Sequence, residues 1–390
     1  MRPRQSTLFD DQRMGFDEAL ELTASSLRAW ALKYIHWAIA YSGGKDSSAT
    51  LTVVLYLIAT GQVPAPKTLT VLYSDTRMEL TPLHAAAMEM LSAIVARGIQ
   101  VKIVLPKMDD RFFVYMLGRG VPPPSNTFRW CTAQLKIEPM LAALEQLRDE
   151  SGEKLLMLTG VRLGESAARD ARIALSCGKN GAECGQGWFQ EATPDAIADT
   201  LAPLLHWRVC FVWDWLMFYA PSYGFPQTTL VAESYGWDEA QEINARTGCV
   251  GCNLASRDFA LETILTNSKW ERLRPLLELR GLYTWLKLDK NRLRKDGSET
   301  RKDGSLVSNP CRMGPLTFEA RRIGLERVKD IQARAKVDLI NPEEESRIME
   351  LIDAKTWPRG WDGSEPLASM PFDNVNPDGS VQPIMRALMV

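Results

Sequence analysis

The segment Ala40-Tyr41-Ser42-Gly43-Gly44-Lys45-Asp46-Ser47-Ser48-Ala49-Thr50 constrains this chain more than any other. It follows an apolar run, Tyr34-Ile35-His36-Trp37-Ala38-Ile39, that reads as a buried strand. It leads into Leu51-Thr52-Val53-Val54-Leu55-Tyr56-Leu57-Ile58, which reads as an apolar helix. Strand, glycine turn and hydroxyl-rich helix start make a phosphate cradle. Gly43 and Gly44 let the backbone approach an anion, and the free N–H groups and positive end of the helix dipole hold it. Lys45 adds a point charge, and Ser42, Ser47 and Ser48 add hydroxyl donors. The spacing is not that of a Walker A loop, which needs G-x-x-x-x-G-K-[ST].

Downstream, apolar runs at Thr68–Tyr73, Gln100–Leu105 and Lys154–Thr159 alternate with helical stretches at 81–96 and 132–148. Alternation of this kind predicts an α/β fold with a doubly wound parallel sheet, whose ligands sit at the carboxyl ends of strands. Asp75 and Gly160-Val161-Arg162 fall at such ends. The pattern breaks over about 173–200. From about 201 the chain reads as mainly helical without clear strands, with helices over 313–355 and an irregular tail from Trp357. Asn341-Pro342-Glu343 reads as a helix start. The expected division is a lead-in over 1–33, a nucleotide-binding region over 34–260 and a helical region over 261–390.

With 45% hydrophobic residues in 390, the chain can bury a large core, and a net charge of -2 gives no global attraction for nucleic acid. No run is long enough to cross a membrane and the N-terminus lacks a signal peptide, so a cytoplasmic protein without a membrane partner is expected. Seven cysteines argue against a disulfide framework, and three histidines against a His-rich metal site. Cys249-Val250-Gly251-Cys252 is a CxxC, which alone fits zinc, a redox pair or chance.

The Ser-Gly-Gly-Lys-Asp-Ser order resembles the PP-loop of the ATP pyrophosphatase and PAPS reductase family. Gly160-Val161-Arg162-Leu163-Gly164-Glu165-Ser166-Ala167-Ala168-Arg169 resembles its Gly-x-Arg-x-x-Glu-Ser-x-x-Arg signature, although Glu165 and Arg169 also suit a helix-surface ion pair. Arg129-Trp130-Cys131 through Lys136 to Pro139 is similar to its Arg-x-Cys-x-x-x-x-Lys-x-x-Pro element, and Leu204–Leu216 to its tryptophan-bearing helix. The resemblance implies an adenine nucleotide α-hydrolase-like fold, ATP and Mg²⁺. It implies catalytic Lys45, Asp46, Arg162 and Arg169, with Ser42, Gly43, Gly44, Ser47, Ser48, Asp75, Gly160 and Lys136 around the nucleotide.

In cluster-bearing relatives the equivalent of Cys131 joins a downstream CxxC in ligating a [4Fe–4S] cluster. Here that implies Cys131, Cys249 and Cys252, with Cys184 as fourth ligand ahead of Cys177, Cys210 and Cys311, and zinc as the alternative. Sulfonucleotide reductases carry a C-terminal cysteine that attacks sulfur, whereas no cysteine follows Cys311 here. The closer resemblance is to DndC/SspD-type proteins of DNA phosphorothioation. It implies adenylation of a DNA backbone phosphate, a cysteine desulfurase as sulfur donor and partners from a modification system. Lys287, Lys290, Arg292, Arg294, Lys295, Arg301 and Lys302, with Arg321 and Arg322, are candidate DNA contacts, a solvated charged loop being the plainer reading. Alternatives are a PAPS or adenylyl-sulfate reductase, a tRNA thiolase, and a non-catalytic nucleotide- and DNA-binding accessory protein. Gln5-Ser6-Thr7-Leu8-Phe9 loosely resembles a sliding-clamp binding peptide.

Overall fold

The computed structural model describes residues 14–164, 196–236, 249–297, 300–301, 303–305, 307, 309, 311–370, 373–375 and 381–383. Arg169, Cys177, Cys184, Lys302 and the 5–9 segment lie outside them. The chain forms two compact units: one from Met1–Asp75, Thr81–Val104 and Pro139–Thr247, the other from Thr76–Leu80, Leu105–Glu138 and Gly248–Val390.

The first unit is built on five parallel strands: β1 (His36–Tyr41), β2 (Thr68–Ser74), β3 (Gln100–Val104), β4 (Leu155–Leu158) and β5 (Ala198–Leu201), in the order β3-β2-β1-β4-β5. Side chains alternate between the two faces, so β1 covers both with one apolar run. Trp37, Ile39, Tyr41, Val71, Tyr73, Leu156 and Leu158 pack with residues of α1 (Phe16–Ala31), α2 (Lys45–Ala59) and α3 (Thr81–Ala96). Ala38, Leu72, Val104, Leu155 and Met157 form the opposite layer with Ala143, Leu144 and Leu147. The chain winds from β1 toward β2 on one side and crosses to β4 on the other. The carboxyl end of β1 is therefore the switch point where open α/β sheets hold ligands.

The expected doubly wound parallel sheet is present. Two expectations need correction. The broken stretch before residue 201 contains β5, a short edge strand with no alternating signal of its own. Strands also occur after 201. β6 (Arg292–Arg294) pairs antiparallel with β7 (Met313–Leu316), and β8 (Asp373–Val375) with β9 (Val381–Pro383), inside the tail read as irregular.

In the second unit, α4 (Phe318–Ala335) and α5 (Pro342–Asp353) are the two C-terminal helices expected. Thr317 caps the first and Asn341 the second, where the Glu344 side chain returns to the Asn341 N–H to complete a capping box. Arg321 is fully buried. Its guanidinium donates to the carbonyls of Leu316, Gly118 and Thr356 at 3.0, 3.1 and 2.8 Å, and lies 4.5 and 4.6 Å from the ring centres of Phe318 and Trp357.

That burial corrects the candidate DNA contacts. Arg321 is structural, Arg294 is buried, Arg292 donates to the Gly314 carbonyl, Lys287 to that of Pro124, and Lys295 pairs with Glu365 at 2.8 Å. Arg322 is exposed and pairs with Asp353; Lys290 and Arg301 are exposed. Spacing alone does not separate a charge that braces a fold from one that faces solvent.

Candidate functional site

The loop after β1 folds as its residues demand. Gly43 has φ +75°, and a Cβ there would stand 3.0 Å from the Ala87 Cβ. Gly44 is extended at the helix N-cap, and no side chain caps the start of α2. The Ser47 hydroxyl ties the loop together: its Oγ accepts from the Ser42 N–H at 3.2 Å, lies 3.1 Å from the Ser42 Oγ and donates to the Gly44 carbonyl at 3.0 Å. This leaves a preformed turn at the positive end of a helix dipole, suited to phosphate oxygens.

Around it, Asp46 joins the expected cations. Its carboxylate accepts from Lys45 Nζ at 2.9 Å and from Arg162 Nε at 2.5 Å, all three side chains being largely buried. Arg162 also donates to the Trp207 carbonyl at 3.1 Å, which fixes the plane of its fork. Lys45 Nζ stands 4.7 Å from the centre of the Tyr235 ring. Gly160, just past β4, lies against the helix start: a Cβ there would fall 2.7 Å from the Ser47 nitrogen and 2.8 Å from the Asp46 carbonyl carbon. Glycine is needed there for contact, not for conformation.

The Ser74 and Thr159 hydroxyls are buried and lack a hydrogen-bond partner among the described residues. Ser74 ends β2 and Thr159 follows β4, the strands flanking β1, and by strand alternation both belong to the Leu72 and Met157 face. Buried polar groups are ordinarily paired, so two orphans at the sheet's carboxyl end fit a polar ligand. Burial pushes the Tyr41 phenol up to about 12, with the Ser48 hydroxyl pulling the other way.

The structure thus brings Ser42, Gly43, Gly44, Lys45, Asp46, Ser47, Ser48, Gly160 and Arg162 together. Asp75 follows β2, its N–H bonded to the Val104 carbonyl at 3.0 Å. Tyr235 and Trp207 were not expected here. Both come from far along the chain, and nothing in their local sequence signals a partner for Lys45 or Arg162.

Cys131, Cys249 and Cys252 all belong to the second unit. The Cys252 N–H donates to the Cys249 carbonyl at 3.0 Å, closing the CxxC turn. Gly251 has φ +65°, and its N–H donates to Asp258 Oδ2 at 3.1 Å; Arg280 donates to the Cys252 carbonyl. Burial pushes the Cys249 thiol up to about 11, with the Lys136 ammonium opposing it and Glu79, Cys252 and Cys131 adding to it. Burial, and then the Cys252 charge, raise the Cys131 thiol. The three sulfurs therefore lie within electrostatic reach of one another, and Lys136 acts on this group. Among the described residues no three His, Cys, Asp or Glu side chains stand close enough to hold one metal ion. The Tyr283 hydroxyl is buried beside the turn without a hydrogen-bond partner among the described residues. Soft sulfur donors and an orphan hydroxyl fit an iron–sulfur group in chemistry. Cys210 and Cys311 are half-buried free thiols.

No described helix is long and apolar enough to cross a membrane. An uncharacterized protein of Methanocaldococcus jannaschii is 26% identical over 181 residues, which cover 46% of this chain and 31% of that protein, so the match spans about a third of the relative's length. Among solved structures, the chain is similar to FMN adenylyltransferase of Candida glabrata in complex with FMN and an ATP analog (16% identity, 60% of this chain and 65% of that one, TM-score 0.37). It is also similar to the U34-tRNA thiolase NcsA of Methanococcus maripaludis with its [4Fe-4S] cluster (17% identity, 69% and 78%, TM-score 0.33). Residues 36–221 match the phosphoadenosine phosphosulfate reductase domain, a span that holds the cradle, Asp46, Gly160 and Arg162. Over those residues, just under half of its length, the chain is similar to that domain.

Proposed function

We propose that this chain is an ATP pyrophosphatase that adenylates an acceptor for sulfur insertion, the acceptor being a DNA backbone phosphate. The observation that carries the first part is the Lys45–Asp46–Arg162 group beside the glycine turn, with Gly160 packed on the backbone of the helix start. In the reaction an acceptor oxygen attacks the ATP α-phosphorus, the bond to the β-phosphate breaks and pyrophosphate leaves. The α2 N–H groups, Lys45 and Arg162 meet the charge that develops on the phosphates. Asp46, the carboxylate of the loop, would hold Mg²⁺, which would supply further neutralisation of phosphate charge. The outer sulfur of a desulfurase-derived persulfide then attacks the activated acceptor phosphorus, AMP departs, and a thiol reductant cleaves the remaining S–S bond, leaving sulfur on phosphorus and a disulfide on the thiol side.

The choice of DNA rests on the resemblance to phosphorothioation proteins. Contact would run through exposed residues such as Lys290 and Arg301, since the buried members of the basic segment are engaged. We assign Cys131, Cys249 and Cys252 as ligands of a [4Fe–4S] cluster, with Cys184, outside the described residues, as the fourth. Such a group supplies sulfur relay or bracing of the fold.

Incubation with ATP, Mg²⁺, duplex DNA, cysteine, a cysteine desulfurase and a dithiol reductant should yield AMP, pyrophosphate and phosphorothioate linkages, and Lys45→Met should abolish all three. Pyrophosphate release that no nucleic acid stimulates would remove DNA as acceptor. Sulfite release from PAPS with a thioredoxin-type reductant would indicate a reductase instead.

A further inference from the structure

Tyr283 lies in the helix Glu278–Leu286, whose residues grip the CxxC turn from one side. A Cβ on Gly251 would stand 2.7 Å from the Leu279 Cβ and 3.5 Å from the Tyr283 ring, so the ring packs directly on the residue between the two cysteines. Arg280 holds the turn's exit through the carbonyls of Cys252, Ala255 and Ser256. The Tyr283 ring is fixed edge-on against Phe112, with centroids 5.8 Å apart. Its hydroxyl is buried and has no hydrogen-bond partner among the described residues. Buried tyrosine hydroxyls usually find an acceptor, and a phenylalanine would fill the same space without that demand.

We propose that the Tyr283 hydroxyl is a positioning donor for the thiolate centre, hydrogen-bonding a sulfur of the cluster bound at the Cys249–Cys252 turn. This rests on the cluster assignment above. A hydrogen bond to sulfur withdraws electron density and favours the reduced, more negative state, so it raises the reduction potential and slows loss of iron. Tyr283 ligates nothing; it acts through the sulfur it touches.

The full chain and its Tyr283→Phe variant, purified anaerobically, test this by iron and sulfide content, visible absorption, potentiometric titration and the rate of iron loss to a chelator. The variant should fold and bind iron, titrate at a more negative potential and lose iron several-fold faster. Leu279→Met keeps the packing volume and the hydroxyl, and should match wild type in potential. Equal potentials and equal loss rates for Tyr283→Phe and wild type overturn the proposal and leave the cluster assignment standing. An equal shift in Leu279→Met reduces Tyr283 to packing and likewise overturns it. A wild-type chain that takes up no iron overturns the cluster assignment itself, and this proposal with it.

Discussion

Asp46 is the residue on which the nucleotide site turns, because it faces two cations at once. Neutralising it removes the carboxylate that Lys45 and Arg162 share, and breaking a buried pair costs about 3 kcal/mol. Asp46→Asn should therefore lower the melting temperature, and added pyrophosphate should restore it by more than it raises wild type. Equal pyrophosphate shifts in the two proteins would mean that Asp46 does not share its partners with the anion. Gly160→Ala makes a complementary case. The added methyl meets backbone 2.7 Å away, which cannot turn aside as a side chain does. About 1–3 kcal/mol of strain is expected, with at least a tenfold fall in pyrophosphate release; unchanged release would refute the close approach. At this scale the sequence was highly informative for Ser42 to Ser48, since a glycine turn between strand and helix is local chemistry. Tyr235, Trp207 and Tyr283 were illegible because their roles arise only when distant chain meets the site.

Among elements, those with local punctuation were readable and those made by distant pairing were not. The start of α5 at Pro342 followed from Asn341, Pro342 and Glu344, residues that cap a helix whatever surrounds them. β6 and β7 escaped notice because Arg292-Leu293-Arg294 is mostly charged and Met313-Gly314-Pro315-Leu316 contains two strand breakers; each is a strand only through the other. Helix α5 is also tied to the 3₁₀ turn Met108–Asp110 by Arg347, whose Nε and Nη2 donate to the two Asp109 carboxylate oxygens at 2.7 and 2.9 Å. The Arg347 hydrogen bond holds the Asp109 carboxyl below its usual value of 3.8. Above that value the carboxylate is charged in both the folded and the unfolded chain, and the pair contributes fully. As pH falls through 3.8 toward the lower folded value, the unfolded chain takes up its proton first and the contribution fades. The pair is solvent-screened, so Asp109→Asn should cost under about 1 kcal/mol at neutral pH, and the difference from wild type should vanish in melts below the folded pKa. A difference that grows toward acid would reverse this reading.

For the molecule as a whole, the chain passes between its units after residues 75, 80, 104, 138 and 247. Neither unit is one continuous stretch. A chain ending at residue 247 keeps every strand of the parallel sheet but strips Phe112 and Trp130 of Tyr283 and the C-terminal helices that complete their unit. It should be recovered as aggregate, and a monodisperse monomer in size-exclusion chromatography would refute that expectation. The alternation of strands and helices made the sheet legible in the sequence. The interleaving was not, since a five-residue visit such as Thr76–Leu80 carries no periodicity. It also has a consequence in time. Cys131 leaves the ribosome 118 residues before Cys249. At about 5–20 residues per second, its thiol spends roughly 6–24 seconds with no CxxC yet in existence. Whatever those three sulfurs come to hold is therefore acquired late in synthesis or after release, and a nascent chain stalled before residue 249 is one in which Cys131 can be labelled by a thiol reagent without competition.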